Sequence, residues 1–578
     1  MSKNKALSDF FTSLNVQEEQ FIPLLKEDRL GIILRSAVNE LDWVYYNNNS
    51  EYNKSFSQEE YLYTFKLGVT RLIKLALESR ESFEVPSVMF PRNVEISSAT
   101  HDIVLGLGMI EHGRRVGQSV NAGITKITKS GMNDFIITMP SNLIDDESYE
   151  NAINYYYKDI YNNVLTQLYK TSFMQNLSID VDKEIFDSVY IFAKNYIGYE
   201  TSPLLDEFFF ALAYNELVNY DGYDTFHYLT KFGGIEFQKY KIALAFVMSI
   251  FSRHEKSAET LIIKHPEIKL ENILTISSYT SEFIESMCEA INHFGSFLKG
   301  HTHTTLDEAK KIFEVLSCSR KNTGLLDRPG TELPLLIQSS EESFFRCITA
   351  RHSSPLQFLL DSLRYHFITD YDKHQQTREK VLQNAVRKLL DKVFFNLAYK
   401  NNIKIKTNGK TSTDIDLVIA EENTGIVFLC QLKHQELYGS DLHAKHSRTT
   451  RLKEQACNWL TAINNWLANT SESNIRATLR ISKKTPQLTI SKFFITRHYA
   501  FPLKYLSSMN DTVYCNWAQL NYAIQLIKHD KTTSESKIYN VVEKLKKLES
   551  EFENKEYLKE PNSKWVIGDL NFTIRQES

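Results

Sequence analysis

Long hydrophobic runs are missing from this 578-residue sequence: the longest, about Ile242 to Phe251, is well short of the roughly 18 to 20 residues that cross a bilayer. A helical membrane span is thereby excluded. The opening Met1-Ser2-Lys3-Asn4-Lys5 turns acidic at Asp9 without building the apolar stretch of a secretory signal, so the expected location is the cytoplasm. Cysteine is scarce, and Cys288, Cys318, Cys347, Cys430, Cys457 and Cys515 form no CxxC pair. That argues against a zinc knuckle or a disulfide framework and for reduced, mostly buried thiols. Repeats at solenoid spacing and low-complexity tracts are also absent. With 42% hydrophobic and 12% aromatic residues, the chain has the composition of a folded protein of about three or four domains.

Overall charge of one sign is lacking too, but the balance hides an asymmetry. The total is 67 Lys+Arg against 71 Asp+Glu, net -4. Residues 371–578 hold 32 basic and 22 acidic residues, net +10, which leaves 35 and 49, net -14, for residues 1–370. A basic C-terminal part is suited to a polyanion, because cations that displace condensed counterions supply most of the sequence-independent affinity for nucleic acid. It is equally suited to docking on the acidic part.

Residues 1–370 read as an acidic, mainly helical region. Apolar residues recur at three and four spacing in Glu59 to Leu77, Tyr149 to Phe173, Leu205 to Val218, Phe237 to Phe251, Phe283 to Leu298 and Leu306 to Leu316. Thr304-Thr305-Leu306-Asp307-Glu308 is a helix start, with a hydroxyl cap and acids in the first turn. Phe135 to Met139 and part of Val94 to Leu107 read as strands, leaving room for a small mixed α/β unit near residues 85–145. Gly106-Leu107-Gly108 with Gly113 lacks the spacing of a phosphate loop and fits a tight turn or a helix-packing site. His301-Thr302-His303 has no third metal ligand nearby and reads as surface histidines beside the cap.

Past residue 370 the pattern changes. A long amphipathic helix covers about Lys373 to Tyr399, with Val381, Leu382, Ala385, Leu389, Val393 and Leu397 inward. Strands follow at Ile403 to Lys406, Asp414 to Ala420 and Ile426 to Lys433, separated by Asn408-Gly409 and by the hairpin loop Glu421 to Gly425. A second helix, about Ser447 to Ala468, precedes Ala477 to Ile481 and the buried strand Phe493 to Thr496. The order is helix, three strands, helix, strand. In the hairpin, Asp414 and Asp416 begin one strand beside Gln431 and Lys433 at the end of its partner. Period-two alternation puts 414 with 416, and 431 with 433, on one face each. Trp459 and Trp466 read as core, and Gln455 as a surface glutamine.

Asp414-Ile415-Asp416-Leu417-Val418-Ile419, then Phe428-Leu429-Cys430-Gln431-Leu432-Lys433, with Glu379 in the leading helix, resembles the PD-(D/E)xK nuclease superfamily. Glutamine in place of the second acid is similar to its Mrr-like restriction endonuclease branch. The resemblance spans roughly residues 373 to 530, including Phe494-Ile495-Thr496, Val513-Tyr514 and Ala518-Gln519-Leu520, and the proline before the aspartate is missing. It implies a multidomain protein in which the mainly α-helical region 1–370 is followed, at 371–530, by an α/β restriction-endonuclease-like domain with an αβββαβ core. A helix and strand extension would occupy 531–578.

The resemblance also implies a Mg²⁺- or Mn²⁺-dependent endonuclease acting on DNA, in bacterial restriction or anti-phage defence. Asp416 would be the principal metal ligand, joined by Glu379, Gln431 and the backbone carbonyl of Leu432, with Asp414 either an auxiliary ligand or, in an alignment shifted by two, the principal one. Lys433 would hold or deprotonate the attacking water. Lys445, Arg448, Arg451, Lys453, Lys483, Lys484 and Arg497 would grip the phosphate backbone. The N-terminal region would sense, regulate or assemble, through a homo-oligomer or a partner protein. RNA as substrate, or a catalytically inactive nucleic-acid-binding or scaffolding protein with a decayed nuclease fold, are the alternatives.

Overall fold

A computed structural model describes residues 5–26, 29–46, 58–80, 82, 92–140, 180–192, 196–200, 202–218, 226–328, 330, 332–407, 409–436, 441–498, 511–529, 538–553 and 562–577. The helix expected at Tyr149 to Phe173 lies outside these residues.

The first part is a helical body. Helices α1 (Lys5–Glu19), α2 (Leu30–Tyr46), α3 (Gln58–Ser79) and α4 (Val94–Asn121) precede a hairpin of β1 (Lys126–Lys129) and β2 (Asp134–Met139). Next come α5 (Val181–Ser188), the hairpin β3 (Val189–Phe192) and β4 (Tyr196–Tyr199), α6 (Pro203–Glu216), the short pair β5 (Lys231–Phe232) and β6 (Ile235–Glu236), and α7 (Phe237–Lys264). The body continues with β7 (Ser277–Tyr279), α8 (Thr280–Gly295), α9 (Leu306–Leu316), β8 (Ser317–Cys318), β9 (Leu336–Gln338), β10 (Ser343–Arg346), α10 (Ile348–Arg351) and α11 (Pro355–His366). Helix α9 starts where its cap signal puts it, with Thr305 and Glu308 forming a reciprocal capping box.

The strand expected within Val94 to Leu107 is instead the start of α4. Asn93 accepts a hydrogen bond from the Ile96 N–H, and Val104, Leu107, Ile110 and Val116 are buried at helical spacing. The glycines of this stretch bring helices together: a Cβ on Gly108 would stand 2.1 Å from the Thr64 carbonyl oxygen of α3, and one on Gly68 1.8 Å from that of Val104.

Helix α12 (Ile368–Leu390) leads into a five-stranded sheet of β11 (Leu397–Thr407), β12 (Lys410–Glu421), β13 (Ile426–Lys433), β14 (Thr489–Thr496) and β15 (Thr512–Asn516), in that spatial order. The first three strands are an antiparallel meander, while β14 and β15 run parallel to β13. Helices α13 (Leu442–Ala468) and α14 (Glu472–Leu479) connect β13 to β14, and α15 (Trp517–His529) and α16 (Tyr539–Glu553) follow β15. The observed order through β14 is helix, three strands, helices, strand. Helix α12 stops at Leu390, short of the expected Tyr399: Asn396 adopts φ +64° and Leu397 already begins β11. Ala477 lies in α14.

Both sheet faces are covered, so β13 is nearly continuously apolar. Phe428, Cys430 and Leu432 pack with Leu382, Val386 and Leu389 of α12 and with α15 and α16. Val427 and Leu429 face Leu452, Trp459, Leu460 and Ile463 of α13. Gly425 closes the β12–β13 hairpin at φ +79°, where the Gln487 carbonyl oxygen stands 2.4 Å from any added Cβ.

Two features bind the C-terminal unit to the body. Helix α12 spans both, with Tyr371 in the core of the body and Leu382 to Leu390 in the core of the C-terminal unit. The region after residue 530 divides between them. Helix α16 buries Val541, Val542, Leu545 and Leu548 against the C-terminal core, whereas β16 (Asn562–Ile567) and β17 (Leu570–Gln576) return to the start of the chain. Strand β17 pairs in parallel with β2, giving the sheet order β1-β2-β17-β16 over Phe10 and Phe135. Among the described residues, no helix is long and apolar enough to cross a membrane.

Candidate functional site

The site forms where β12 and β13 part. Their ladder ends with Leu417 opposite Cys430, and the next register positions are Asp416 and Gln431. Beyond that point the Leu432 N–H donates to Asp416 Oδ2 at 2.7 Å rather than to a β12 carbonyl. Gln383, one helical turn after Glu379 on α12, donates its side-chain N–H to the Asp416 carbonyl and so fixes the backbone from the helix side. Asn402 on β11, opposite this point, adopts φ +50°. Ile415 packs toward α13 but Leu417 packs toward α12, so side-chain alternation breaks at Asp416. The expectation that Asp414 and Asp416 share a face by simple alternation therefore does not hold. Asp414 is exposed, and its backbone carbonyl accepts from Trp459 Nε1 at 2.8 Å.

Burial pushes the Asp416 carboxyl up to about 6, opposed by the Leu432 N–H and the Lys433 charge and assisted by Glu379 and Asp414. The Leu432 N–H and the Lys433 charge thus compensate this carboxylate only in part. Gln431 is 5% exposed, and its Oε1 is shielded from solvent with no hydrogen-bond donor among the described residues. An orphaned buried acceptor is uncommon, since leaving one unsatisfied costs about 1–3 kcal/mol. Lys433 ends β13 with its Nζ 3.7 Å from Glu379 Oε1, an ion pair about half open to water on the glutamate side. Beside Lys433 in the parallel register is Thr496, whose buried Oγ1 also lacks a partner among the described residues. The four side chains singled out in the sequence, Glu379, Asp416, Gln431 and Lys433, converge on the end of β13.

The basic residues divide. Lys445 and Arg497 are 4% and 0% exposed, so neither offers its charge at the surface. Arg448 directs its guanidinium to Glu436, donating to the backbone carbonyl at 2.7 Å and to Oε2 at 3.3 Å. Lys483 and Lys484 are exposed but precede β14, which runs parallel to β13. The length of that strand, roughly 25 Å, separates them from the Lys433 end of the sheet. Arg451 and Lys453 project from the half of α13 nearer the site and remain accessible. Gln455 is exposed, and Trp459 and Trp466 are core.

Sequence reasoning missed Gln383 and Glu436. Gln383 carried a signal in its i+4 spacing from Glu379; Glu436 carried none, because its partners come from three helices.

No protein-family model, no curated protein and no solved structure matches this chain. Among the described residues, no three His, Cys, Asp or Glu side chains converge as a metal-binding group.

Proposed function

We propose that Asp416, Gln431, Lys433 and Glu379 form a divalent-cation-dependent site that hydrolyses phosphodiester bonds, and that its substrate is DNA. The observation that carries this reading is the orphaned Gln431 Oε1, one register step past the last ladder pair and across from a half-buried, only partly compensated carboxylate. Two carboxylates and an amide oxygen suit Mg²⁺ or Mn²⁺, because Mg²⁺ is commonly held by one or two carboxylates while retaining several waters. Asp416 and Gln431 would hold the ion, with Glu379 and the Leu432 carbonyl completing the oxygen set. The ion's contribution would be to neutralise charge developing on the phosphate and to lower the pKa of a bound water.

The chain's own groups account for the rest. The Leu432 N–H and Gln383 keep Asp416 oriented. Lys433 donates hydrogen bonds to the attacking water and to a non-bridging phosphate oxygen, where its charge opposes the negative charge that develops. Glu379 pairs with Lys433 and keeps it at the mouth of the site, and Arg451 and Lys453 supply accessible positive charge alongside.

The test is a substrate panel. Supercoiled DNA, single-stranded DNA and RNA are incubated with the full chain in Mg²⁺, Mn²⁺ or EDTA. Metal-dependent DNA breakage with RNA spared is the expected result; cutting of RNA alone would reassign the substrate. Binding without breakage in any metal would favour a nucleic-acid-binding module.

A further inference from the structure

Three residues beyond Lys433, the chain places one carboxylate under an unusual concentration of donors. Glu436 Oε1 accepts from Arg378 Nη1 at 3.0 Å, from the Tyr371 hydroxyl at 3.1 Å and from Gln375 Nε2 at 2.9 Å. Its Oε2 accepts from Arg364 at 3.3 Å and Arg448 at 3.3 Å. Burial alone would raise this carboxyl, but Arg378, Arg364 and Arg448 hold it below the usual carboxylate range. These donors have separate origins: Arg364 belongs to α11 of the body, Tyr371, Gln375 and Arg378 to the first half of α12, and Arg448 to α13. Arg378 is 2% exposed, with its guanidinium 4.9 Å from the ring of Phe226, a body residue. Its neighbour in sequence is Glu379, the partner of Lys433.

The two halves of the Lys433–Glu379 pair are therefore tied to one anchor. Glu379 follows the residue that grips Glu436, and Lys433 precedes Glu436 by three. We propose that Glu436 is a positioning residue through which the helical body fixes Lys433 against Glu379. The reading of what the site does comes from the proposed function; the reading of how it is held comes from these contacts alone. A charged hub with every acceptor lone pair engaged suits this role, since removing one partner leaves buried charge uncompensated and shifts the geometry. Displacements of about 1 Å at a reacting group cost rates of order 100-fold.

The experiment uses the full chain with Arg364→Gln, which removes one of the body's contacts to the carboxylate, and Glu436→Gln, which removes the charge. Two readouts are taken on variants whose melting temperature matches the wild type. In hydrogen exchange, the amides of residues 431–436 are expected to exchange faster in both variants. In metal-dependent DNA cleavage, kcat is expected to fall by roughly 10- to 100-fold with KM little changed. Unchanged exchange at 431–436, or exchange that rises while kcat holds, would overturn the proposal. A wild type inert on all nucleic acids would overturn the hydrolytic reading instead, and the exchange result would then decide alone whether the body holds Lys433.

Discussion

At the scale of single residues, the proposed chemistry turns on what Gln431 does not do. A glutamate there would engage a cation more strongly but would set two carboxylates together in a largely buried place with Lys433 as their nearby countercharge. Gln431→Glu should therefore lower the melting temperature in EDTA. It should also reduce the Mg²⁺ or Mn²⁺ concentration giving half-maximal stabilisation by roughly tenfold, since ligand charge tunes affinity for hard cations. Calorimetric melting across a metal titration measures both effects, and equal stability with and without metal would remove the site from consideration. A second residue contributes to the pH dependence of stability. His254, 2% exposed, hydrogen-bonds the Ile273 and Leu274 carbonyls through Nε2, and burial, followed by the charge of Arg346, lowers it to about 4. The unfolded chain binds this proton near pH 6.5 and the folded chain does not until about 4. Stability is thus fully present above the unfolded value and is lost as pH falls through that window, by something on the order of 3 kcal/mol. Denaturant titration should show His254→Gln losing less stability, or gaining more, than the wild type between pH 7 and pH 5.

Among the elements, helix contacts in the body are set by glycine. Gly108→Ala puts a methyl group against the Thr64 carbonyl across the α3–α4 contact, and should destabilise the chain by about 1–3 kcal/mol through overpacking, read as a lower melting temperature. Element identity was legible in the sequence wherever periodicity and cap chemistry agreed. Helix α9 and strand β13 fall on their expected bounds because a capping box and a glycine turn mark them. Legibility failed at Val94 to Leu107, where β-branched residues mimic a strand but the Asn93 cap and contact with α3 impose a helix. It failed again at Leu397, which continues the helical spacing of α12 yet is claimed by β11. The site was legible in the four residues that converge at β13. It was illegible in the alternation break at Asp416, which depends on pairing with β11, and in the burial of Lys445 and Arg497, since a basic residue reads as surface until its neighbours are known.

The whole molecule is not a simple string of body followed by appended unit. The last hairpin closes onto the first, with Trp565 and Phe572 covering Phe10 and Phe135, while α12 runs from one core into the other. Removing residues 562–578 should therefore loosen the N-terminal side first. Hydrogen exchange should accelerate in β2 before any change appears in β13, and the reverse order would refute this account of how the chain closes. The same connectivity places the candidate site beside the junction of the two parts, where Glu436 joins them.

The central claim, that the end of β13 is a metal-dependent phosphodiesterase site, is tested most directly by comparing DNA cleavage by the wild-type chain with that by Asp416→Asn and Lys433→Met. Asp416→Asn keeps the side chain's shape and removes its charge, and Lys433→Met keeps most of its length and removes both the charge and the hydrogen-bond donors. The account predicts Mg²⁺- or Mn²⁺-dependent cleavage by the wild type, and loss of at least about 100-fold in each variant, with melting temperatures unchanged or raised. Wild-type cleavage that survives both substitutions would place the chemistry elsewhere in the molecule and contradict the account.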